Sequence, residues 1–447
     1  MKYGLLTGFL KPFTNYGDYV QSMAIEYIYN LMGISEDEIY HITLEELAEY
    51  DGEQLLLPYN YYFSLIIDQH TGRVILSDKI TPVFLGLTLS DGKFGHSIKD
   101  ILSTESINYL RRYEPIGCRD EYSRIVLESY GVQAYLQGCL SNVLPKRQDG
   151  DYHKVMLINC PMEVLPFIPN DIISKAEAME NSGYIGNLNA EETWLKVKQH
   201  YEYIRDNASL VVSSRYHAVS PCYAMGIPSI FVKRVYDHLL EDVRLDTLNP
   251  FIPVYTYNNY SEIDWYPVHK ENIYLKESLI ELSIARINEV YKRNTRVEQI
   301  SGFWFQSINR YNSRIKYTED IHKLCLKEFV EKNYPYAKEG GFYIWGAKPI
   351  FCLKDRVTIV DYITEVNPEL KFLGWIDTYK TGSLANQPIF SPDSFTLGSN
   401  DFVVIASETA ITDAKMRLEQ MGIEKERYII CVNQYITAHD IKGGCIR

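Results

Sequence analysis

The segment Ser213-Ser-Arg-Tyr-His217 carries the residue types best suited to chemistry in this chain. An apolar run, Leu210-Val-Val, delivers two serines, an arginine and a histidine to its carboxyl end, and a helical pattern follows at once. In open α/β sheets, ligands bind outside the carboxyl ends of the strands. Free N–H groups at a helix start favour an anion there. Ser214, Arg215 and His217 therefore stand where an anion would be held. Arg215 and His217 alternate along an extended backbone, so both are expected to point at it. An arginine fork suits a carboxylate or phosphate, and a histidine holds or moves a proton near neutral pH. The competing reading makes Arg215 a surface charge flanking the helix and His217 a satisfied residue of its first turn.

Two further segments share this strand-to-helix form. In Gly117-Cys-Arg-Asp-Glu-Tyr-Ser123 a short strand ends in Arg119-Asp120. Asp120 is placed to cap the next helix. Arg119 sits where the helix dipole disfavours a cation, which points to a ligand, although an ion pair with Asp120 or Glu121 would also account for it. In Asn15-Tyr-Gly-Asp18, with Gln21-Ser22 behind it, Asn15, Gly17 and Asp18 form a loop whose backbone donors could face an anion or a sugar. Asp18 is also expected to cap the helix that follows. The run Leu55-Leu-Leu-Pro-Tyr-Asn-Tyr-Tyr62 ends in polar aromatics, read as core in preference to a sugar platform.

The elements that must position these residues alternate. Strands are expected at Tyr3–Thr7, Gln54–Leu57, Val83–Leu87 and Ile116–Cys118, with helices from Asp18, over Ile98–Arg112 and over Tyr122–Tyr130. After the turn-rich stretch Pro145–Asp151, strands at Lys154–Asn159, Ala208–Ser213 and Ser229–Val232 alternate with helices at Thr193–Asp206 and Ala218–Met225. Such alternation predicts parallel sheets covered on both faces. The expected fold is α/β: two Rossmann-like domains, 1–147 and 148–335, facing a cleft, and a small α/β domain over 336–447. Residues 273 to 332 read as helical.

The chain has 447 residues and a formal net charge of −13, too acidic to track a nucleic-acid backbone. Its eight cysteines form no C-x-x-C, and no histidine pair has metal-ligand spacing, so reduced thiols and no metal are expected. The N-terminus lacks a signal-peptide pattern and no transmembrane-length apolar run appears, so a cytoplasmic protein is expected, at most peripherally attached to a membrane.

The order of these segments resembles the polysaccharide pyruvyl transferase family. Its N-x-G-D loop is matched by Asn15–Asp18 and Gln21-Ser22-Met23-Ala24, and its G-x-R-D-x-x-[ST] segment by Gly117–Ser123. Its G-C-L stretch is matched by Gly138-Cys139-Leu140, and its S-R-x-H strand end and small-Gly-x-Pro stop by Ser214–Pro228. The resemblance covers residues 3 to 245 and implies a GT-B-like architecture with the site between two Rossmann-like domains. It implies phosphoenolpyruvate as the donor, gripped by Arg119 and Arg215, with His217 as acid/base. It further implies a sugar or lipid-linked glycan acceptor and no cofactor. The basic residue that members carry after the next strand would be Lys233 or Arg234, in a shifted register. Gln137 and Ser141-Asn142 stand where many members have Ser and Thr around Gly-Cys-Leu. The C-terminal block resembles small nucleotide-binding domains, but Gly346-Ala-Lys-Pro lacks the later glycines of the dinucleotide fingerprint, so no NAD is expected there. The rival readings are a GT-B glycosyltransferase using a nucleotide sugar and a non-catalytic scaffold for polysaccharide assembly.

Overall fold

The computed structural model describes residues 1–9, 13–68, 71–90, 97–234, 252–269, 273–292, 326–334, 340–347, 359–384, 386–407, 410–431, 436 and 441. The described residues form three mainly parallel sheets. The first comprises β1 (Lys2–Gly8), β3 (Ile39–Thr43), β4 (Leu55–Tyr59), β5 (Ile80–Leu87), β6 (Ile116–Cys118) and β7 (Ala134–Leu136), while β2 (Phe13–Asn15) lies outside it. Its order is β3-β1-β4-β5-β6-β7, every pairing parallel. The second contains β8 (Lys154–Ile158), β9 (Ala176–Met179), β11 (Ala208–Ser213), β12 (Ser229–Val232) and β13 (Val254–Tyr255), in the order β13-β12-β11-β8-β9, again all parallel. A short strand β10 (Ser182–Tyr184) pairs antiparallel with β2, tying the loop before the first helix to the segment that follows β9.

Both sheets start in their interior and wind outward in two directions, which creates a topological switch point between β1 and β4 and another between β8 and β11. Strands buried on both faces read as continuous apolar runs, as Leu55-Leu56-Leu57 do. In β8 the pleat still divides the side chains. Met156 and Ile158 join a core shared with Leu5, Val20 and Leu56, while Val155 and Leu157 turn to a second cluster with Leu210 and Trp265. That shared core makes the two sheets one compact unit, and Ile436 and Ile441 belong to it too.

The principal helices of this unit are α1 (Tyr16–Leu31), α2 (Glu121–Ser129), α3 (Ala190–Asn207), α4 (Tyr216–Ala224) and α5 (Ile273–Lys292). Two of these, and the helix expected over 98–112, differ from the sequence reading. Asn15, not Asp18, caps α1: its side chain accepts from the N–H of Gly17, leaving Asp18 in the first turn, where a carboxylate favours the dipole. The helix expected over 98–112 breaks at Leu102, because Ser103 caps a new helix by accepting from the N–H of Ser106. And α4 starts at Tyr216, two residues earlier than expected.

The second compact unit contains the described residues from 326 to 431. Its sheet comprises β14 (Gly341–Trp345), β15 (Lys371–Ile376), β16 (Gly382–Leu384), β17 (Gln387–Phe390), β18 (Phe402–Ile405) and β19 (Tyr428–Ile430). The order is β16-β17-β15-β14-β18-β19, with only β16 antiparallel. Leu326, Val330 and Tyr334 pack in this core, so residues 326–334 belong here and not ahead of a boundary at 335/336. At the other end Ile436 leaves the unit and donates its N–H to the Cys160 carbonyl, so the expected 336–447 domain loses its tail to the first unit. Of the helical stretch expected over 273–332, residues 293–325 lie outside the described residues.

Candidate active site

Arg119 follows directly on β6. Its backbone N–H donates to the Leu87 carbonyl at 3.0 Å, which locks the strand end, and its side chain is 1% exposed. The guanidinium is spread over three neighbours. Nε donates to Thr88 Oγ1 at 2.5 Å, Nη1 donates to Gln21 Oε1 at 3.2 Å, and Nη1 lies 3.4 Å from His217 Nε2. The Tyr62 ring sits 5.5 Å away, within cation–π reach. Nη2 is buried with no hydrogen-bond partner among the described residues.

The ion-pair alternative for Arg119 does not hold, since it forms no ion pair among the described residues. Glu121 is taken by Arg124, at 2.5 Å. Asp120 is the N-cap of α2, accepting from the Ser123 N–H at 2.8 Å. Burial raises the Asp120 carboxyl above its ordinary pKa, opposed by its bonds to Ser123 and the positive charge of Arg119.

His217 is the second residue of α4 and is 9% exposed. Because the helix begins at Tyr216 and Arg215 is its N-cap, the two residues do not alternate along a strand as expected. The cation beside His217 is Arg119. A guanidinium only donates hydrogen bonds, so Nε2 accepts in this contact and the ring proton belongs on Nδ1. Cys139 Sγ lies 3.4 Å from the same Nε2. Cys139 Sγ also lies 3.1 Å from Ser141 Oγ, which is 2.6 Å from Ser220 Oγ, and Ser220 donates to Asn142 Oδ1 at 2.7 Å. That chain fastens the Gly-Cys-Leu stretch to α4.

Gly17 lies against the other side of the imidazole. A Cβ built on it would fall 2.8 Å from both Cβ and Nδ1 of His217. The glycine of the N-x-G-D loop is thus required by close packing on His217, a reason distinct from the donor role read from sequence. Asn15 and Asp18 bond to one another, Nδ2 to Oδ2 at 3.2 Å.

Arg119, His217 and Gly17 come together. Arg215 is half-buried, and its N–H donates to Ser213 Oγ at 2.9 Å. Ser214 is committed to the backbone, donating to the Asn159 carbonyl at 2.7 Å. Lys233 is buried just past β12, its N–H donating to the Tyr255 carbonyl at 2.7 Å, and Arg234 follows it half-buried. Sequence reasoning gave no role to Thr88, named Gln21 only as a neighbour of the loop, and read Tyr62 as core. A threonine just past an apolar strand carries no signal that an arginine 31 positions later will need its hydroxyl.

No group of histidine, cysteine or carboxylate side chains able to hold a metal occurs among the described residues. No described helix is long and apolar enough to cross a membrane. Among solved structures, a functionally uncharacterized protein from Klebsiella pneumoniae is similar at 12% identity, covering 60% of this chain and 90% of that one. The TM-score between the two is 0.33. No curated protein matches the chain. The family model described as polysaccharide pyruvyl transferase matches residues 15–234, so that span of the chain, which holds every residue of the cluster around Arg119 and His217, is similar to the polysaccharide pyruvyl transferase family.

Proposed function

We propose that this chain transfers pyruvate from phosphoenolpyruvate to a sugar of a cell-surface polysaccharide or its precursor, forming a cyclic ketal. The observation that carries this reading is the buried guanidinium of Arg119, whose Nη1 lies 3.4 Å from His217 Nε2 while its Nη2 has no hydrogen-bond partner among the described residues. A buried cation with no ion-pair contact among the described residues is costly, and a carboxylate or phosphate supplies one. The donor has both groups on a three-carbon frame, so Arg119 takes one and Arg215 the other. Held this way, the donor sits in a two-lobed, GT-B-like site, and no cofactor is needed.

The chemistry then follows from the acceptor state of Nε2. The imidazole takes the proton of a sugar hydroxyl as its oxygen bonds to the central carbon of the donor, and a proton is delivered to the methylene carbon, which becomes a methyl. The carbon–oxygen bond to phosphate breaks and phosphate leaves. A second hydroxyl of the sugar adds to the same carbon and loses its proton, which closes the ring. A positioned acid–base group contributes about 10²–10⁴-fold to such steps. Lys233 and Arg234, at the end of β12, line the donor's anionic side, with Asn15, Gly17, Asp18, Asp120 and Ser214 framing the two loops.

Phosphate release from phosphoenolpyruvate, measured across a panel of lipid-linked and nucleotide-linked sugars, tests this. The wild-type chain releases phosphate with at least one acceptor, while Arg119→Gln, Arg215→Ala and His217→Ala lose transfer and keep the fold. Full activity in these variants, or release of nucleotide in place of phosphate, overturns the assignment.

A further inference from the structure

The helix that carries His217 contains a proline at a telling position. In an α-helix the carbonyl of His217 would accept from the N–H of the residue four ahead. That residue is Pro221, which has no N–H and whose ring crowds the same carbonyl. The carbonyl does not go unsatisfied, because the hydroxyl of Tyr201, on α3, lies 2.9 Å from it. Tyr201 is 1% exposed, and burial holds its hydroxyl in the protonated, donating form.

The same hydroxyl lies 3.1 Å from Asn181 Oδ1, and Asn181 joins the loops around the site. Its N–H donates to Asn159 Oδ1 at 2.8 Å, and its carbonyl accepts from the N–H of Tyr16, the first residue of α1, at 3.1 Å. Asn159, at φ 43°, adopts the left-handed conformation that asparagine tolerates better than most residues. Tyr201 is thus braced against the start of α1, where Gly17 meets the imidazole.

We infer that Tyr201 is a positioning residue for His217: its hydroxyl replaces the helix hydrogen bond that Pro221 removes and fixes the turn from which the imidazole reaches Arg119 and Cys139. The kinetic part of this inference rests on the pyruvyl transfer proposed above. Tyr201→Phe keeps the ring and deletes only the hydroxyl. It lowers kcat about tenfold, the effect of a barrier raised by roughly one hydrogen bond, while the KM for phosphoenolpyruvate stays within about twofold. Pro221→Ala restores an N–H partner for the carbonyl, so the double variant Tyr201→Phe/Pro221→Ala recovers most of that loss, a coupling read by a double-mutant cycle. A kcat within twofold of wild type, a loss carried by KM, or an equal loss in both backgrounds overturns the inference.

A readout without turnover separates this from failure of the proposed function. In ¹⁵N-histidine spectra of the unliganded protein, His217 of the wild type shows a single Nδ1-protonated tautomer, and Tyr201→Phe shifts or doubles its signals. Unmoved signals sink the positioning role whatever the reaction proves to be, and absence of phosphate release by the wild type sinks only the reaction.

Discussion

Replacing Gly17 by alanine sets two physical terms against each other. Gly17 is the second residue of α1, and its backbone does not occupy the left-handed region, so alanine is conformationally permitted. Helix propensity alone favours the change, by up to about 1 kcal/mol. The added methyl, however, lies 2.8 Å from two atoms of His217, inside any real carbon–carbon or carbon–nitrogen contact. Opening that contact to an ordinary separation moves the imidazole or the start of α4 by roughly half an ångström or more. Overpacking of this kind costs about 1–3 kcal/mol, so the net expectation is a loss of stability of about 0–2 kcal/mol once the full propensity gain is set against it. The displaced ring also loses its 3.4 Å approach to Arg119 Nη1, and misplacement of that size costs on the order of tenfold in kcat. Urea denaturation gives the first quantity and phosphate release from phosphoenolpyruvate the second. A variant that is more stable than wild type with unchanged kcat would refute the reasoning, because propensity would then have acted alone.

Two more outcomes follow from groups around the site. Asp120→Ala removes the cap of α2 and leaves the Ser123 N–H without its acceptor, costing about 0.5–2 kcal/mol by denaturation, whereas Asp120→Asn, an equally good cap, restores most of it. Equal losses in both variants would show that charge, not capping, is the role of Asp120. His200 packs edge-on against Tyr16 and Tyr201, and burial lowers its pKa to about 4. The folded state therefore prefers the neutral ring while the unfolded chain binds a proton below its ordinary pKa of about 6.5. The stability this gives is fully present above pH 6.5 and is lost as pH falls towards 4, up to about 3 kcal/mol. Unfolding free energies of wild type and His200→Asn between pH 7 and pH 4 should converge on the acid side, and parallel curves would count against it.

Much of the frame was legible because the signals are local. The all-buried run at β4 and the strand-end arginine and histidine follow from apolar periodicity and the rule that ligands gather at carboxyl ends. Asp120 declared itself as a cap by its place before Glu121. What was missed depends on tertiary geometry. Whether Asn15 or Asp18 caps α1 turned on a single side-chain bond between residues two apart. The pairing of Arg119 with His217 spans 98 residues and is set by where two sheets bring their ends, which no spacing encodes. Tyr201 reads as one aromatic on an amphipathic helix, and only the proline facing it from α4 gives its hydroxyl a purpose. The limits of the second unit were misplaced because a helix from 326 and a tail from 436 each carry the apolar pattern that either core accepts.

The return of Ile436 to the side of Cys160 makes the second unit a guest threaded into its host, not an appendage hung from it. Cutting the chain ahead of residue 326 would therefore remove more than the guest. It would also strip Ile436 and Ile441 from the apolar layer formed by Val155, Leu157 and Trp265, laying bare a hydrophobic face of the catalytic host. Excision that rejoins the two ends with a short flexible linker spares that layer. Simple truncation confuses loss of the guest with injury to the host.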